Sequence, residues 1–195
     1  MTELLQLNFM AQYFMDFTNL VISALSTLTL ISDILIVFLV LYLGLRRLKP
    51  ITPLEKLLDL LGEQGLYFAF IVALVATGGS LFFSEIANFT PCKLCWFQRI
   101  FMYPQALLGL VALLTQDRKV WKYLIPLSVI GGLISIYNYY IQLFPAAAAT
   151  CGSDGLSCTQ KLIWHYGYIT IPVMALTASI LIIVLTLLNH SRSQA

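Results

Sequence analysis

Four cysteines stand in two pairs in this sequence. Cys92 and Cys95 lie in the run Thr90-Pro-Cys-Lys-Leu-Cys-Trp-Phe-Gln-Arg99, and Cys151 and Cys158 bracket Cys-Gly-Ser-Asp-Gly-Leu-Ser-Cys. Such pairs can staple a fold, hold a metal, or exchange disulfides with another dithiol. As staples in a membrane scaffold they are poorly placed. Loops this short contribute only about 2 to 2.5 kcal/mol each through the unfolded chain, and neither bridge joins one apolar segment to another. A four-thiolate zinc site fits badly as well, because Cys151 and Cys158 are further apart than the usual two-to-four-residue spacer and no histidine is suitably placed. Redox exchange fits better. A Cys-x-x-Cys at the start of a helix has its thiolate favoured by the helix N-terminus, and the thiolate is the species that attacks or leaves.

The first pair carries further geometry. Thr90 is placed to cap a helix and Pro91 suits its first position, which puts Cys92 in the first turn. At about 100° per residue, Cys92, Cys95 and Arg99 fall within a sector of about 60° and share one helix face. An arginine one turn below Cys95 is costly near lipid unless it meets a partner, and a thiolate or the carbonyl oxygen of a bound quinone would serve. The second pair lies in a stretch of Gly152, Ser153, Asp154 and Gly155, whose turn chemistry predicts a mobile, exposed loop able to enter the groove of a partner protein.

The elements that must position these residues are set by composition. The chain is 59% apolar and 10% charged, against about 45–50% and about 25% in soluble domains, which excludes an ordinary water-soluble fold. Runs long enough to cross about 30 Å of hydrocarbon extend over Leu20 to Leu45, Leu66 to Phe83, Trp96 to Leu114, Tyr123 to Leu143 and Ile169 to Leu188. They show no period-two alternation, so the expected fold is an all-α membrane bundle. Residues 1 to 19 lack Lys and Arg, so the first span is expected to be retained and not cleaved as a signal.

Positive residues mark the cytoplasmic side. Arg46, Arg47, Lys49 and Lys56 follow the first span, Arg118, Lys119 and Lys122 follow the third, and Arg192 lies in the tail; the other side has Lys93, Lys161 and the helix-borne Arg99. This predicts the N-terminus outside, the C-terminus inside, and both cysteine pairs on the outer, oxidising face, where disulfides persist. The net charge of +2 includes no basic cluster of the kind that binds nucleic acid.

The expected organisation follows. Residues 1–19, with Leu7, Met10, Phe14 and Phe17 at helical spacing, read as a short amphipathic helix at the outer interface or a frayed tail. Residues 20–45 form the first span, 46–65 a cytoplasmic amphipathic linker, 66–188 the four-helix bundle with both cysteine pairs, and 189–195 a cytoplasmic tail. The linker shows a Thr52 and Glu55 capping box around Pro53, with Leu54, Leu57, Leu58 and Leu61 on one face. Gly78, Gly79, Gly131 and Gly132 read as close helix contacts. The aromatics Trp96, Phe97, Tyr137, Tyr139, Tyr140, Trp164, Tyr166 and Tyr168 read mainly as an interfacial belt, with a pocket wall as the alternative. Asp33, mid-span, is expected to be hydrogen-bonded within its own helix near Thr29 or Ser32, with a proton path or partner contact as the alternative.

The run from Cys92 to Pro104, Cys-x-Leu-Cys-Trp-x-Gln-Arg-x-x-Met-Tyr-Pro, resembles the DsbB family of membrane disulfide oxidases and is most similar to its BdbC branch. The resemblance extends over residues 66 to 188 and includes the Phe-Pro approach to Cys151 and the Tyr168-Ile-Thr-Ile-Pro172 entry to the last span. It implies a thiol:quinone oxidoreductase that reoxidises a DsbA-like thioredoxin-fold protein outside the bacterial inner membrane, using ubiquinone or menaquinone. By position, Cys95 would be the quinone-proximal sulfur, Cys92 its exchanging partner, and Arg99 the polar contact to quinone. Cys151 would form the mixed disulfide with the partner, and Cys158 would relay to Cys92. The sequence departs from the family in the additional N-terminal span and in Asn138, where many relatives have histidine; His165 reads as interfacial. A reductase of the vitamin K epoxide reductase type also combines a four-helix bundle with two cysteine pairs, but there the loop pair precedes the Cys-x-x-Cys.

Overall fold

The computed structural model describes residues 2–45, 52–117, 119–144, 159 and 161–193. Within these the chain is helical almost throughout: α1 Thr2–Leu45, α2 Thr52–Glu63, α3 Gly65–Leu81, α4 Lys93–Thr115, α5 Trp121–Leu143 and α6 Ile171–Ser193. A π-helical turn, Phe82–Ile86, prolongs α3. Five segments are long and apolar enough to cross a membrane: Gln12–Tyr42, Gly65–Ile86, Lys93–Thr115, Trp121–Leu143 and Ile171–Ser191. In lipid each backbone amide must find its partner within the protein, and a helix meets that demand segment by segment. The protein is an all-helical, multi-pass membrane protein, as the apolar runs predict.

The helices α3 to α6 close a four-helix bundle, with α3 on α4, α4 on α5, α5 on α6 and α6 back on α3. Small residues permit the close approaches that helices in lipid depend on. A Cβ at Gly65 would lie 2.5 Å from the Leu185 carbonyl oxygen, so the start of α3 can meet α6 only as glycine. Polar side chains inside the bundle are paired across helices. The Ser128 hydroxyl on α5 donates to Gln105 Oε1 on α4 at 2.7 Å, and Gln98 Nε2 on α4 donates to Ser135 Oγ on α5 at 3.0 Å. Leaving such groups unpaired in hydrocarbon would cost several kcal/mol, about what makes each pairing specific to one helix register.

The N-terminal residues are helical, but they do not form a separate interfacial helix. α1 is unbroken from Thr2 to Leu45 because no Pro or Gly interrupts it before Gly44. It docks on α6. The Asp33 carboxylate accepts hydrogen bonds from Tyr168 Oη at 2.8 Å and Thr177 Oγ1 at 2.6 Å. The expectation of partners in its own helix is therefore corrected: the Thr29 hydroxyl bonds back to the Leu25 carbonyl, the usual habit of threonine within a helix. A tight turn at His165–Ile169, with Tyr166 and Gly167 at φ 51° and 79°, presents two tyrosines to α1. Tyr166 Oη lies 3.0 Å from Thr27 Oγ1, and Tyr168 reaches Asp33.

At the other end, Tyr42 Oη donates to Glu55 Oε1 on α2 at 2.8 Å. Glu55 is thus turned to α1, and the rest of the predicted capping box lies outside the described side chains. Leu58 is buried, and Asn189 on α6 donates to the Gly62 carbonyl at 2.9 Å, so α2 lies against the bundle. Of the paired glycines, Gly79 faces Leu25 of α1 while Gly78 has nothing near its missing side chain; Gly131 and Gly132 face Phe101, Leu176 and Ser179.

Candidate functional site

The chain enters α4 through a reversal. Asn88, with φ 55°, ends the π-turn, and the following residues lead to Cys92, whose φ of −71° and ψ of 168° are those of an N-cap. The predicted start shifts by two residues: Cys92 itself caps α4, with its sulfur accepting from the Cys95 amide at 3.4 Å, and Thr90 and Pro91 precede the helix. A sulfur can fill the cap because the position needs only an acceptor in extended backbone. The two sulfurs are 2.9 Å apart. The hydrogen bond from the Cys95 thiol, aided by the backbone amides of Cys95 and Leu94, outweighs burial and lowers the Cys92 thiol from 9.0 to about 6. In the reduced pair these contacts favour the thiolate form of Cys92 relative to an ordinary cysteine.

Cys95 faces the bundle interior. Asn138 on α5, fully buried, donates from Nδ2 to the Cys95 sulfur at 3.8 Å. Both cysteines, Gln98 and Arg99 line a cavity of about 290 Å³ bounded by α1, α3, α4 and α6. Arg99 is buried. Its Nη2 donates to the Ser80 carbonyl on α3 at 3.1 Å, and its guanidinium stands 5.2 Å from the Trp96 ring centroid. Cys92, Cys95 and Arg99 thus share one lined space, as the helical face predicts.

Two further features were not foreseen from the sequence. Thr170, fully buried just before α6, lines the same cavity, and its hydroxyl has no hydrogen-bond partner. The aromatic walls are Phe83, Phe89 and Tyr103; of the predicted belt, Trp96, Phe97, Tyr137, Tyr140, Trp164 and Tyr166 stay exposed and outside the cavity. The only advance signal for Thr170 was a polar residue two positions before Pro172, whose missing amide is one donor fewer for the Thr170 side chain to cap. Cys151, Cys158 and the segment Pro145 to Ala149 lie outside the described residues. The flanking Gln142 and Leu162 border the cavity that holds Cys92.

Comparison with known proteins addresses the same region. The family model "Disulfide bond formation protein DsbB" matches residues 63–189. The chain is 46% identical to "Disulfide bond formation protein C" of Bacillus subtilis over 132 residues, 66% of this chain and 95% of that protein. It is 45% identical to "Probable disulfide formation protein C 1" of Bacillus anthracis over 63% of this chain and 88% of that protein. It is 41% identical to "Probable disulfide formation protein" of Coxiella burnetii over 63% of this chain and 84% of that protein. No solved structure matches the chain. With a Cys-x-x-Cys whose first sulfur caps a helix at the head of a membrane bundle and this match over most of its length, the chain belongs to the DsbB family, whose members are membrane thiol oxidoreductases of disulfide bond formation.

Proposed function

We propose that this protein oxidises a DsbA-like thioredoxin-fold dithiol protein on the outer face of the bacterial inner membrane and passes the electrons to ubiquinone or menaquinone. The observation that supports it most is the shared cavity, which places the helix-borne cysteine pair beside a buried guanidinium at membrane depth. A volume of about 290 Å³ is at the lower end for small-molecule sites and suits one substituted ring. The Arg99 guanidinium and the partnerless Thr170 hydroxyl are hydrogen-bond donors on the cavity wall, of the kind that ring carbonyl oxygens accept from. When bound, a quinone supplies a sink for two electrons and two protons.

The chain's own residues carry out the exchange. A partner thiolate attacks Cys151 of the loop disulfide and displaces Cys158; the partner's second thiolate then resolves the mixed disulfide and leaves the partner oxidised. Cys158 attacks Cys92 of the helix disulfide and displaces Cys95, and Cys151 then closes on Cys158 and releases Cys92 as thiolate. Two electrons have moved from partner to helix pair, and the two thiol protons are left to follow them. The hydrogen bond that lowers Cys92 makes it a good leaving group in the last step. The oxidising direction is favoured because a reductive role needs an electron donor on the cytoplasmic side, and all four cysteines sit in segments that the Lys and Arg distribution assigns to the outside.

The test mixes purified protein, a reduced thioredoxin-fold partner and a soluble quinone and follows quinone absorbance. Two-electron reduction should be lost in Cys92→Ser, Cys95→Ser and Cys151→Ser, and Cys158→Ser, given the oxidised partner, should trap a mixed disulfide as the free Cys151 thiolate attacks the partner's disulfide. Quinone turnover indifferent to all four changes would overturn the reading.

A further inference from the structure

The stretch shared with the Bacillus subtilis protein takes up 95% of that protein, and the family match begins at residue 63, so the 44-residue α1 is this chain's addition. Yet α1 contributes Leu25, Leu28, Thr29 and Ser32 to the wall of the redox cavity. These positions recur at i, i+3, i+4 and i+7, which is one helix stripe. The opposite face, with Ile34 60% exposed, is turned to lipid. Removing α1 in thought would leave acyl chains where this stripe stands, and the cavity would be a cleft between α3 and α6 open to the bilayer.

The contacts that hold α1 are specific and concentrated at this level. Asp33, one residue beyond the stripe, accepts from both Tyr168 and Thr177, and an acid within a span is retained only where partners meet it. Leu25 comes so close to α3 that a Cβ on Gly79 would lie 3.1 Å from its Cδ1. Phe17 meets Phe82 edge to face at 5.8 Å. Ile22 joins Phe83 and Ile163 in a buried cluster at the cysteine end of the bundle. The helix is latched on α6 and seated on α3, the two helices whose gap it covers.

We propose that α1 is a structural part of the quinone site, resting on the quinone reading above: it closes the lipid-facing side of the cavity, is latched there by Asp33, and sets how large a ring the site admits. A monocyclic quinone is then favoured over a bicyclic one by the fixed wall of Leu25, Leu28, Thr29 and Ser32, and loosening the latch relaxes that preference.

The experiment uses the full chain in lipid nanodiscs. An azido-substituted monocyclic quinone is photolysed with the protein and the labelled peptides are mapped, and binding of short-tailed monocyclic and bicyclic quinones is measured from their stabilisation of the protein against thermal unfolding. Label should appear on residues 25–32 of α1. Thr29→Phe, which adds bulk from the α1 side, should weaken monocyclic binding about tenfold and bicyclic binding more. Asp33→Leu should narrow the gap between the two rings, while Ile34→Trp on the lipid face should match the wild type. Label confined to α3, α4 and α6, with Thr29→Phe binding both rings as the wild type does, would overturn the proposal even if Asp33→Leu failed to fold. Wild-type protein that neither binds nor reduces any quinone would instead overturn the underlying reading, and this proposal with it.

Discussion

Asn138, buried in the middle of the bundle, aims its side-chain amide at the sulfur of Cys95, 43 residues away, with 3.8 Å between Nδ2 and Sγ. An amide donor at this sulfur orients it inside the bundle and supplies a hydrogen bond that would persist while Cys95 is displaced in the proposed exchange. The Asn138 Oδ1 is left without a partner, so the residue's hydrogen bonding is committed to Cys95. Asn138→Leu should slow turnover about tenfold, the equivalent of one hydrogen bond, with the KM for quinone little changed. Trapping of the partner through Cys151 should be unaffected, since that step precedes Cys95. An unchanged turnover number would remove Asn138 from the exchange.

The Cys92 thiol, lowered to about 6 chiefly by the Cys95 hydrogen bond, makes a pH prediction. A depressed pKa means that the thiolate is present above about pH 6 and is lost as pH falls through that value. Alkylation of the reduced protein at Cys92 should therefore be near its plateau at pH 7 and half-maximal near pH 6, where an unperturbed thiol would be half-maximal near 9.0. Cys95→Ala deletes the main donor and should move the midpoint upward. A midpoint that stays near 9 in the wild type would show that the cap and its hydrogen bonds do not activate Cys92.

How much of this was legible in the sequence depends on the range of each interaction. The spans were readable because hydrocarbon imposes a length and a composition on every crossing segment, and the shared face of Cys92, Cys95 and Arg99 followed from helical rise alone. The cap at Cys92 was displaced by two residues because Thr90, Pro91 and Cys92 are all acceptable near a helix start and local chemistry does not rank them. Asp33 was misassigned for a different reason. Its partners Tyr168 and Thr177 are 135 and 144 residues distant, and only the packing of α1 on α6 brings them within reach. The same holds for Asn138, which the sequence marks only as a departure from the histidine of many relatives and whose contact with Cys95 depends on the packing of α5 on α4.

Arg99 couples the cavity to α3 through the Ser80 carbonyl, and Tyr103 donates to the Ser80 hydroxyl at 3.2 Å. Replacement by alanine deletes the only cation on the cavity wall among the described residues. Arg99→Ala should raise the KM for quinone by about ten- to a hundredfold, the range for losing a hydrogen bond from a charged donor. Arg99→Lys should recover only part of the loss, because an ammonium cannot hold Ser80 and a ring carbonyl with the same planar fork. Steady-state kinetics at varied quinone concentration decide it, and an unaltered KM would leave Arg99 with a packing role alone.

Thr170 separates binding from folding. Its hydroxyl is buried with no partner, which is a cost to the folded protein unless a ligand supplies the missing acceptor or donor. Valine has nearly the same shape and lacks the hydroxyl. Thr170→Val should therefore leave thermal stability in the absence of quinone unchanged or raise it, while weakening quinone binding by about two- to tenfold. A structural role would show the reverse pattern, with lower stability and unchanged binding. Measuring the unfolding midpoint with and without saturating quinone distinguishes the two, because the ligand adds stability in proportion to its affinity for the folded state alone. If Thr170→Val loses stability in the ligand-free protein and keeps its full quinone-dependent increment, the hydroxyl does not serve the ring.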